Sequence, residues 1–304
     1  MRWIVIAGPT ASGKSALGVE VAERFAGEIV NADSRQIYRY MDIGTAKPSA
    51  AERARVPHHL FDVATPAERF DAARYRDLAR AALRDVAARG RLPIVVGGTG
   101  LYLRALARGL FPGPRAEPAL RRALGGLEAR APGSLHRWCA RLDPAAAARV
   151  HSHDAVRLVR ALEVVLRTGV PMSLYQRRHG FADTVGEALI LVVDPGVVEL
   201  KARIRERTEL LFARGLVEEV RGLWAKGFGP ELAVMHSIGY REAGQVLRGE
   251  CSIDDAKARV VRATERLAKR QRTWFRAERG AVWLHPANDR SRLFAAVERF
   301  AAEL

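Results

Sequence analysis

The sequence predicts an α/β fold: a P-loop NTPase-like, mostly parallel sheet core that carries an all-helical insertion. Three observations predict it. Apolar runs of strand length alternate with helix-length segments in the first third of the chain. A G-x-x-x-x-G-K-S stretch joins the first apolar run to the first helix. Strand signals then vanish over the middle of the chain and return near residue 188. Strand–helix alternation of this kind builds a parallel sheet covered on both faces.

Taken in order, Trp3–Ala7 reads as a buried strand, Gly8–Ser15 as a loop and Ala16–Phe25 as a helix. Glu28–Ala32 is a second strand. A long helix runs from Phe70 to Arg89, starting near Asp71 and stopping at Gly90. Leu92–Val96 is a third strand, followed by Gly97-Gly98-Thr99-Gly100 and a helix from Leu101. Between about Pro112 and Gly180, Ala, Arg and Leu dominate. Pro112, Pro114 and Pro118 mark the entry to this region, and Gly169-Val170-Pro171 a break near its exit. Ala188–Val193 is a strand again, helices follow, and a short strand falls near Val282–Leu284. The expected domains are residues 1–112 as the first part of the core, 113–185 as the helical insertion, and 186–304 as the second part with basic C-terminal helices.

Composition sets the outer limits. At 304 residues, 48% hydrophobic and 28% charged, the chain is an ordinary globular protein with an ample core. A net charge of +16 and a pI near 10.8 favour a polyanionic partner. The abundance of Ala and Arg leaves compositional drift as an equal explanation of the charge taken alone. Cys139 and Cys251 lie far apart with no Cys-x-x-Cys, which argues against a zinc cluster. The apolar start is too short for a signal-peptide core, and no run reaches the roughly 18 apolar residues of a membrane span. The expectation is a cytoplasmic protein without membrane contact. Nothing demands a dimer, so a monomer is expected.

Gly8-Pro9-Thr10-Ala11-Ser12-Gly13-Lys14-Ser15 lies between a predicted strand and a predicted helix, the context a phosphate-binding loop requires. Its N–H groups and the helix N-terminus would surround an anion, Lys14 would add a full positive charge, and the Ser15 hydroxyl could hold Mg²⁺. The loop implies a bound di- or triphosphate. It does not distinguish ATP from a departing diphosphate.

In open parallel sheets ligands sit at the carboxyl ends of strands. The first predicted strand ends in this loop, the second in Asp33-Ser34-Arg35-Gln36, the third in Gly97-Gly98-Thr99-Gly100. Asp33, Thr99 and Lys14 would then share one mouth as base, hydroxyl donor and phosphate anchor. Singly, a turn cap explains Asp33 and a helix N-cap explains Thr99 equally well. Together, beside a phosphate loop, they favour function.

These residues belong to longer blocks. Asp33-Ser34-Arg35-Gln36-Ile37-Tyr38, Met41-Asp42-Ile43-Gly44-Thr45-Ala46-Lys47-Pro48 and Val56-Pro57-His58-His59-Leu60 follow the phosphate loop. Gly97-Gly98-Thr99-Gly100-Leu101-Tyr102, Arg160-Ala161-Leu162-Glu163, Ser237-Ile238-Gly239-Tyr240-Arg241 and Ala268-Lys269-Arg270-Gln271-Arg272-Thr273-Trp274-Phe275 come later. From residue 4 to about residue 284, in order, the chain resembles the bacterial tRNA dimethylallyltransferase family. The resemblance implies prenyl transfer from dimethylallyl diphosphate to the exocyclic amine of the adenosine next to the anticodon. It implies that the phosphate loop, Lys14 and Mg²⁺ on Ser15 stabilise the departing diphosphate, with Arg203 and Arg207, one turn apart, facing it. It implies that Thr99 hydrogen-bonds the bridging oxygen and that Asp33 accepts the amine proton. It also implies tRNA contacts at Asp33, Ser34, Arg35, Gln36 and Thr99, at Arg121, at Arg157, Leu158, Val159, Arg160 and Ala161, and at His236, Ser237, Ile238, Gly239, Tyr240 and Arg241.

Lys257–Arg279 carries nine Lys or Arg against two Glu. Drawn as a helix, Val260, Leu267 and Trp274 form an apolar stripe with Thr264 and Gln271 beside it, and most basic residues lie opposite. So few balancing acids favour a phosphate-contacting face over a merely solvated one. Asp194 ends an apolar strand as a metal-binding Asp would, but Pro195 follows and it reads as a turn residue. His58, His59, His151 and His153 lack a zinc-type spacing. Trp138, Trp224 and Trp283 read as core. Three rivals remain open: a P-loop small-molecule kinase using ATP, a prenyltransferase acting on free adenine nucleotides, and a non-catalytic RNA-binding protein.

Overall fold

The first apolar run folds as strand β1 (Arg2–Ala7) and leads through the glycine loop into helix α1 (Lys14–Arg24). Then come β2 (Gly27–Asn31), α2 (Ala50–Arg55), β3 (His58–His59), α3 (Ala72–Ala88), β4 (Leu92–Gly97) and α4 (Gly100–Arg108). Five helices follow: α5 (Pro118–Arg130), α6 (Ser134–Leu142), α7 (Pro144–Ala147), α8 (Ala155–Thr168) and α9 (Met172–His179). The chain closes with β5 (Glu187–Val193), α10 (Val197–Ala213), α11 (Leu216–Ala225), a 3₁₀ turn (Ala233–His236), α12 (Tyr240–Leu247), α13 (Ile253–Arg276), β6 (Val282–Leu284) and α14 (Arg290–Ala301). This computed structural model describes residues 1–180 and 182–302.

The six strands form one all-parallel sheet in the order β3-β2-β4-β1-β5-β6. The expected α/β class and parallel sheet are present. β3 is the strand the sequence reading lacks. Its two residues pair with Ile29 and Val30, too short a run to show any alternation. The central strands are buried on both faces, which is why they read as unbroken apolar runs. Ile4, Ile6, Ile94 and Val96 point to one side, under α1 and α14. Trp3, Val5, Val30 and Val95 point to the other, under α3 and α4. α3 starts where expected because the Asp71 side chain accepts the Ala73 and Arg74 N–H groups.

The chain divides into two compact units, residues 1–107 with 185–304, and residues 108–184. The second unit is helical and packs Leu124, Leu135, Cys139, Leu158 and Leu162 together. At its centre the Glu163 side chain is fully buried and bonded by the Arg121 and Arg160 guanidiniums at 2.7 and 2.6 Å. Burial opposes ionisation of Glu163, but Arg121, the Glu117 N–H and Arg160 outweigh it and hold the carboxyl down to about 2. Trp138 departs from the sequence reading. It is 43% exposed, because α6 closes this small core with Ser134, Leu135 and Cys139. Among the described residues no helix is long and apolar enough to cross a membrane.

Candidate active site

β1 ends at Ala7 and hands the chain to a loop that wraps back on itself before α1. Gly13 takes a left-handed conformation (φ 89°) at the α1 N-terminus, a turn that glycine makes without strain. The Lys14 Nζ donates to the Pro9 carbonyl at 3.1 Å, so its charge stays inside the loop. Burial lowers the Lys14 ammonium to about 8; Asp33 opposes this and Arg207 adds to it.

β2 delivers Asp33 two residues past its end. The Asn31 side chain accepts the Asp33 N–H at 3.0 Å, and Asp33 Oδ1 accepts the Arg35 N–H at 2.8 Å. The turn-cap role weighed from sequence is therefore real, yet it uses one carboxylate oxygen. Among the described residues Oδ2 accepts no protein hydrogen bond, and Asp33 lines the cavity. β4 delivers Thr99. Its Oγ1 does not cap α4. It accepts the Ser34 N–H at 3.0 Å, which leaves its own O–H free to donate.

Lys14, Asp33 and Thr99 line a single cavity of about 540 Å³ at the carboxyl ends of the strands. Arg207 of α10 lines it too, half-buried; burial presses its guanidinium below the ordinary value while Asp33 raises it. Arg203, one turn earlier, sits outside the loop, donating to the Ser12 carbonyl at 3.2 Å and pairing with Glu199 at 2.5 Å. Both arginines flank the outer mouth of the loop together with Lys14 and Ser15.

One wall of the cavity is α13. The stripe of Val260, Leu267 and Trp274, with Thr264 and Gln271, faces the cavity rather than only the core. The Gln271 amide bridges two strand ends: Oε1 accepts the Thr10 N–H and Nε2 donates to the Gly98 carbonyl, both at 2.9 Å. Trp274 packs so tightly that a Cβ at Gly100 would lie 2.2 Å from its ring, which explains why glycine stands there. The basic face divides. Arg270 lines the main cavity, while Arg262, Arg266 and Lys269 line a separate groove against α10.

The other sequence-predicted positions distribute as follows. Thr10, Ser34 and Arg35 line the main cavity, as do His236, Ser237, Ile238, Gly239 and Tyr240. Arg241 does not; it pairs with Glu242. Gln36 lines a small polar chamber behind Lys14 and Asp33, and its side chain donates to the Thr45 and Ala46 carbonyls. Ser12 is buried inside the loop. Arg121 and Arg160 hold Glu163, and Leu158 and Ala161 are fully buried in the helical unit. Val159 is half-buried and Arg157 exposed. Asp194 is spent on the Gly196 N–H and on Arg272 at 2.7 Å, as expected of a turn residue. The bridging role of Gln271 escaped the sequence reading; its one signal was an amide beside an apolar stripe.

Such a site defines an α/β protein in which a glycine-rich loop, a carboxylate and a hydroxyl share one cavity at the strand ends. A family model described as IPP transferase matches residues 36–278. The tRNA dimethylallyltransferase of Anaeromyxobacter dehalogenans is 51% identical over 300 residues, covering 98% of this chain and 100% of that one. The tRNA dimethylallyltransferase of Geobacter metallireducens is 50% identical over 289 residues, covering 93% and 92%. The crystal structure of the tRNA isopentenylpyrophosphate transferase from Bacillus halodurans superposes with a TM-score of 0.72 at 33% identity, covering 99% and 97%. A eukaryotic dimethylallyltransferase acting on tRNA superposes with a TM-score of 0.82 at 26% identity, covering 99% and 80%. The chain belongs to the IPP transferase family.

Proposed function

We propose that the protein transfers a dimethylallyl group from dimethylallyl diphosphate to N6 of the adenosine 3′-adjacent to the anticodon in tRNA, giving N6-isopentenyladenosine in the cytoplasm. The observation that carries this is the meeting of Lys14, Asp33 and Thr99 in one cavity. An allylic C–O bond breaks readily once the leaving diphosphate is neutralised. Lys14, the loop amides, Arg207 and Arg203 would receive that charge. The Thr99 O–H would donate to the oxygen that bridges carbon and phosphorus. The adenine amine is a weak nucleophile, because its lone pair is delocalised into the ring. Its pair forms the new C–N bond while the C–O pair leaves with the diphosphate. The displaced N–H proton passes to Asp33 Oδ2.

Mg²⁺ fits this site through the substrate. Among the described residues no cluster of three His, Cys, Asp or Glu could hold a metal ion. Mg²⁺ commonly keeps its waters and binds phosphate oxygens with one or two protein groups, and the Ser15 hydroxyl is such a group. When bound it would neutralise diphosphate charge.

The adenosine must leave its stack to reach Asp33. Ser34, Arg35 and the 236–240 segment line the same cavity and are the proposed tRNA contacts. Asp194 is already bonded twice, which counts against a kinase reading that needs it for metal. The test is a mass measurement. Unmodified tRNA incubated with dimethylallyl diphosphate, Mg²⁺ and the protein should gain one C5H8 unit on the adenosine beside the anticodon. No gain, or turnover of ATP onto a small acceptor instead, removes the proposal.

A further inference from the structure

The Asp42-Ile43-Gly44-Thr45-Ala46-Lys47 stretch is one of the most distinctive in the sequence, yet only Gly44 and Thr45 line the main cavity. Its backbone shows what the rest does. The N–H groups of Asp42 and Ile43 donate to Glu219 Oε2 at 2.9 and 2.7 Å, and that of Gly44 to Glu219 Oε1 at 3.1 Å. Successive amides turned one way form an anion-binding nest. Here the anion is the protein's own carboxylate, from the first turn of α11. The Tyr240 O–H completes the set, donating to Oε1 at 2.6 Å. Burial, with the Glu219 charge beside it, raises this phenol well above its usual range and keeps the proton in place.

The turn is locked. Ala46 N–H donates to the Ile43 carbonyl at 2.9 Å, and the Thr45 hydroxyl to the Met41 carbonyl at 2.6 Å. A Cβ on Gly44 would lie 2.4 Å from the Tyr240 ring, so only glycine lets the nest close. With its amides committed to Glu219, the turn sends a carbonyl the other way. Thr45 C=O accepts the Arg207 guanidinium at 3.3 Å and the Gln36 amide at 3.1 Å.

We propose that Glu219 is a positioning residue for the diphosphate end of the site. It fixes the 42–45 turn, and the Thr45 carbonyl aims Arg207 beside Lys14 and Asp33. Through Tyr240 it also ties Arg207 to the 236–240 segment of the same cavity. The inference rests on the reading of Arg207 as a diphosphate ligand. Glu219 itself touches no substrate.

The experiment is a double-mutant cycle read by calorimetric titration with inorganic pyrophosphate, so that it does not depend on prenyl transfer. Glu219→Gln turns an N–H₂ group toward donors that need an acceptor. It should weaken pyrophosphate binding roughly tenfold, the scale of one hydrogen bond to a charged group. In an Arg207→Ala background the same change should cost less than about twofold, because the residue it positions is gone. A purely structural role predicts additive losses instead. Additive losses, or unaltered pyrophosphate affinity in Glu219→Gln, overturn the proposal. Should Glu219→Gln not fold, Glu219→Asp keeps the charge, shortens its reach and enters the same cycle with the same criteria. A protein that passes the cycle but prenylates no tRNA keeps the positioning role and loses the prenyl-transfer reading.

Discussion

The Thr99 hydroxyl oxygen accepts the Ser34 N–H at 3.0 Å, so the ends of β4 and β2 are bonded to each other through a proposed catalytic side chain. That bond sets the direction of the remaining O–H. Thr99→Ala removes both the strand-end tie and the donor. Loss of one preorganised donor costs about 10²–10³ in kcat, so Thr99→Ala should fall in that range. Thr99→Ser keeps both bonds and should retain most of the rate. Steady-state prenylation of an anticodon stem-loop checks this; equal rates in Thr99→Ala and wild type would remove Thr99 from the chemistry.

Asp33 is open to a cleaner substitution. Asn at this position can still accept the Arg35 N–H through its carbonyl oxygen, so the turn survives while the proton acceptor is lost. Asp33→Asn should slow transfer by roughly 10²–10⁴, the usual worth of a general base, with RNA affinity nearly unchanged. Single-turnover rates beside a filter-binding titration separate the two. A near-normal rate in Asp33→Asn would show that the proton goes elsewhere.

Lys14 carries a pH signature. Burial lowers its ammonium to about 8, so the unliganded loop holds the full charge below that pH and loses it above. A bound diphosphate stabilises the charged form and raises the value again. Pyrophosphate affinity should therefore decline as pH rises through about 8. Pyrophosphate titrates as well, so the quantity to follow is the ratio of wild-type to Lys14→Met affinity. That ratio should shrink toward unity on the alkaline side. A ratio independent of pH would mean that Lys14 stays protonated throughout.

Gln271 makes its two bonds to backbone groups of different strand ends. Gln271→Leu keeps the volume but orphans the Thr10 N–H and the Gly98 carbonyl, each worth about 1–3 kcal/mol if left unpaired. The loop should loosen first. Several-fold higher KM for dimethylallyl diphosphate with a smaller change for tRNA is the expected pattern, and the reverse pattern would place Gln271 on the RNA instead.

The elements that were legible from sequence are those whose signals are local. β1, β2, β4 and β5 are apolar runs with no competing period, and the phosphate loop is a contiguous spacing with a known backbone consequence. Asp33 and Thr99 could be paired because topology alone brings strand ends together. The Thr99–Ser34 bond, the Gln271 bridge and the Glu219 nest join residues 65, 173 and 175–177 positions apart. No periodicity encodes such contacts. What the α13 stripe faces is hidden in the sequence for a related reason. Apolar residues on one helix face mark what is shielded from bulk water, and a cavity wall and a core wall look alike on that measure. β3 was too short to register, and Trp138 shows that a large aromatic residue is not buried by hydrophobicity alone.

Glu163 gives the helical unit an acid limit. Its side chain is fully buried, and the Arg121 and Arg160 guanidiniums and the Glu117 N–H hold the carboxyl at about 2 against the cost of burial. A carboxylate lowered in the folded state adds stability above its unfolded value, and that stability drains as pH falls toward the folded one. The window therefore runs from the ordinary glutamate range down to about 2. Glu163→Gln keeps the shape and discards the charge. Breaking a buried pair costs about 3–5 kcal/mol, and since both arginines remain partly exposed the lower end, near 3 kcal/mol, is expected at neutral pH. Urea unfolding followed at neutral and acid pH tests this directly. The gap between wild type and Glu163→Gln should narrow as the pH drops. A gap that stays constant would mean that Glu163 stabilises the unit by packing and not by charge.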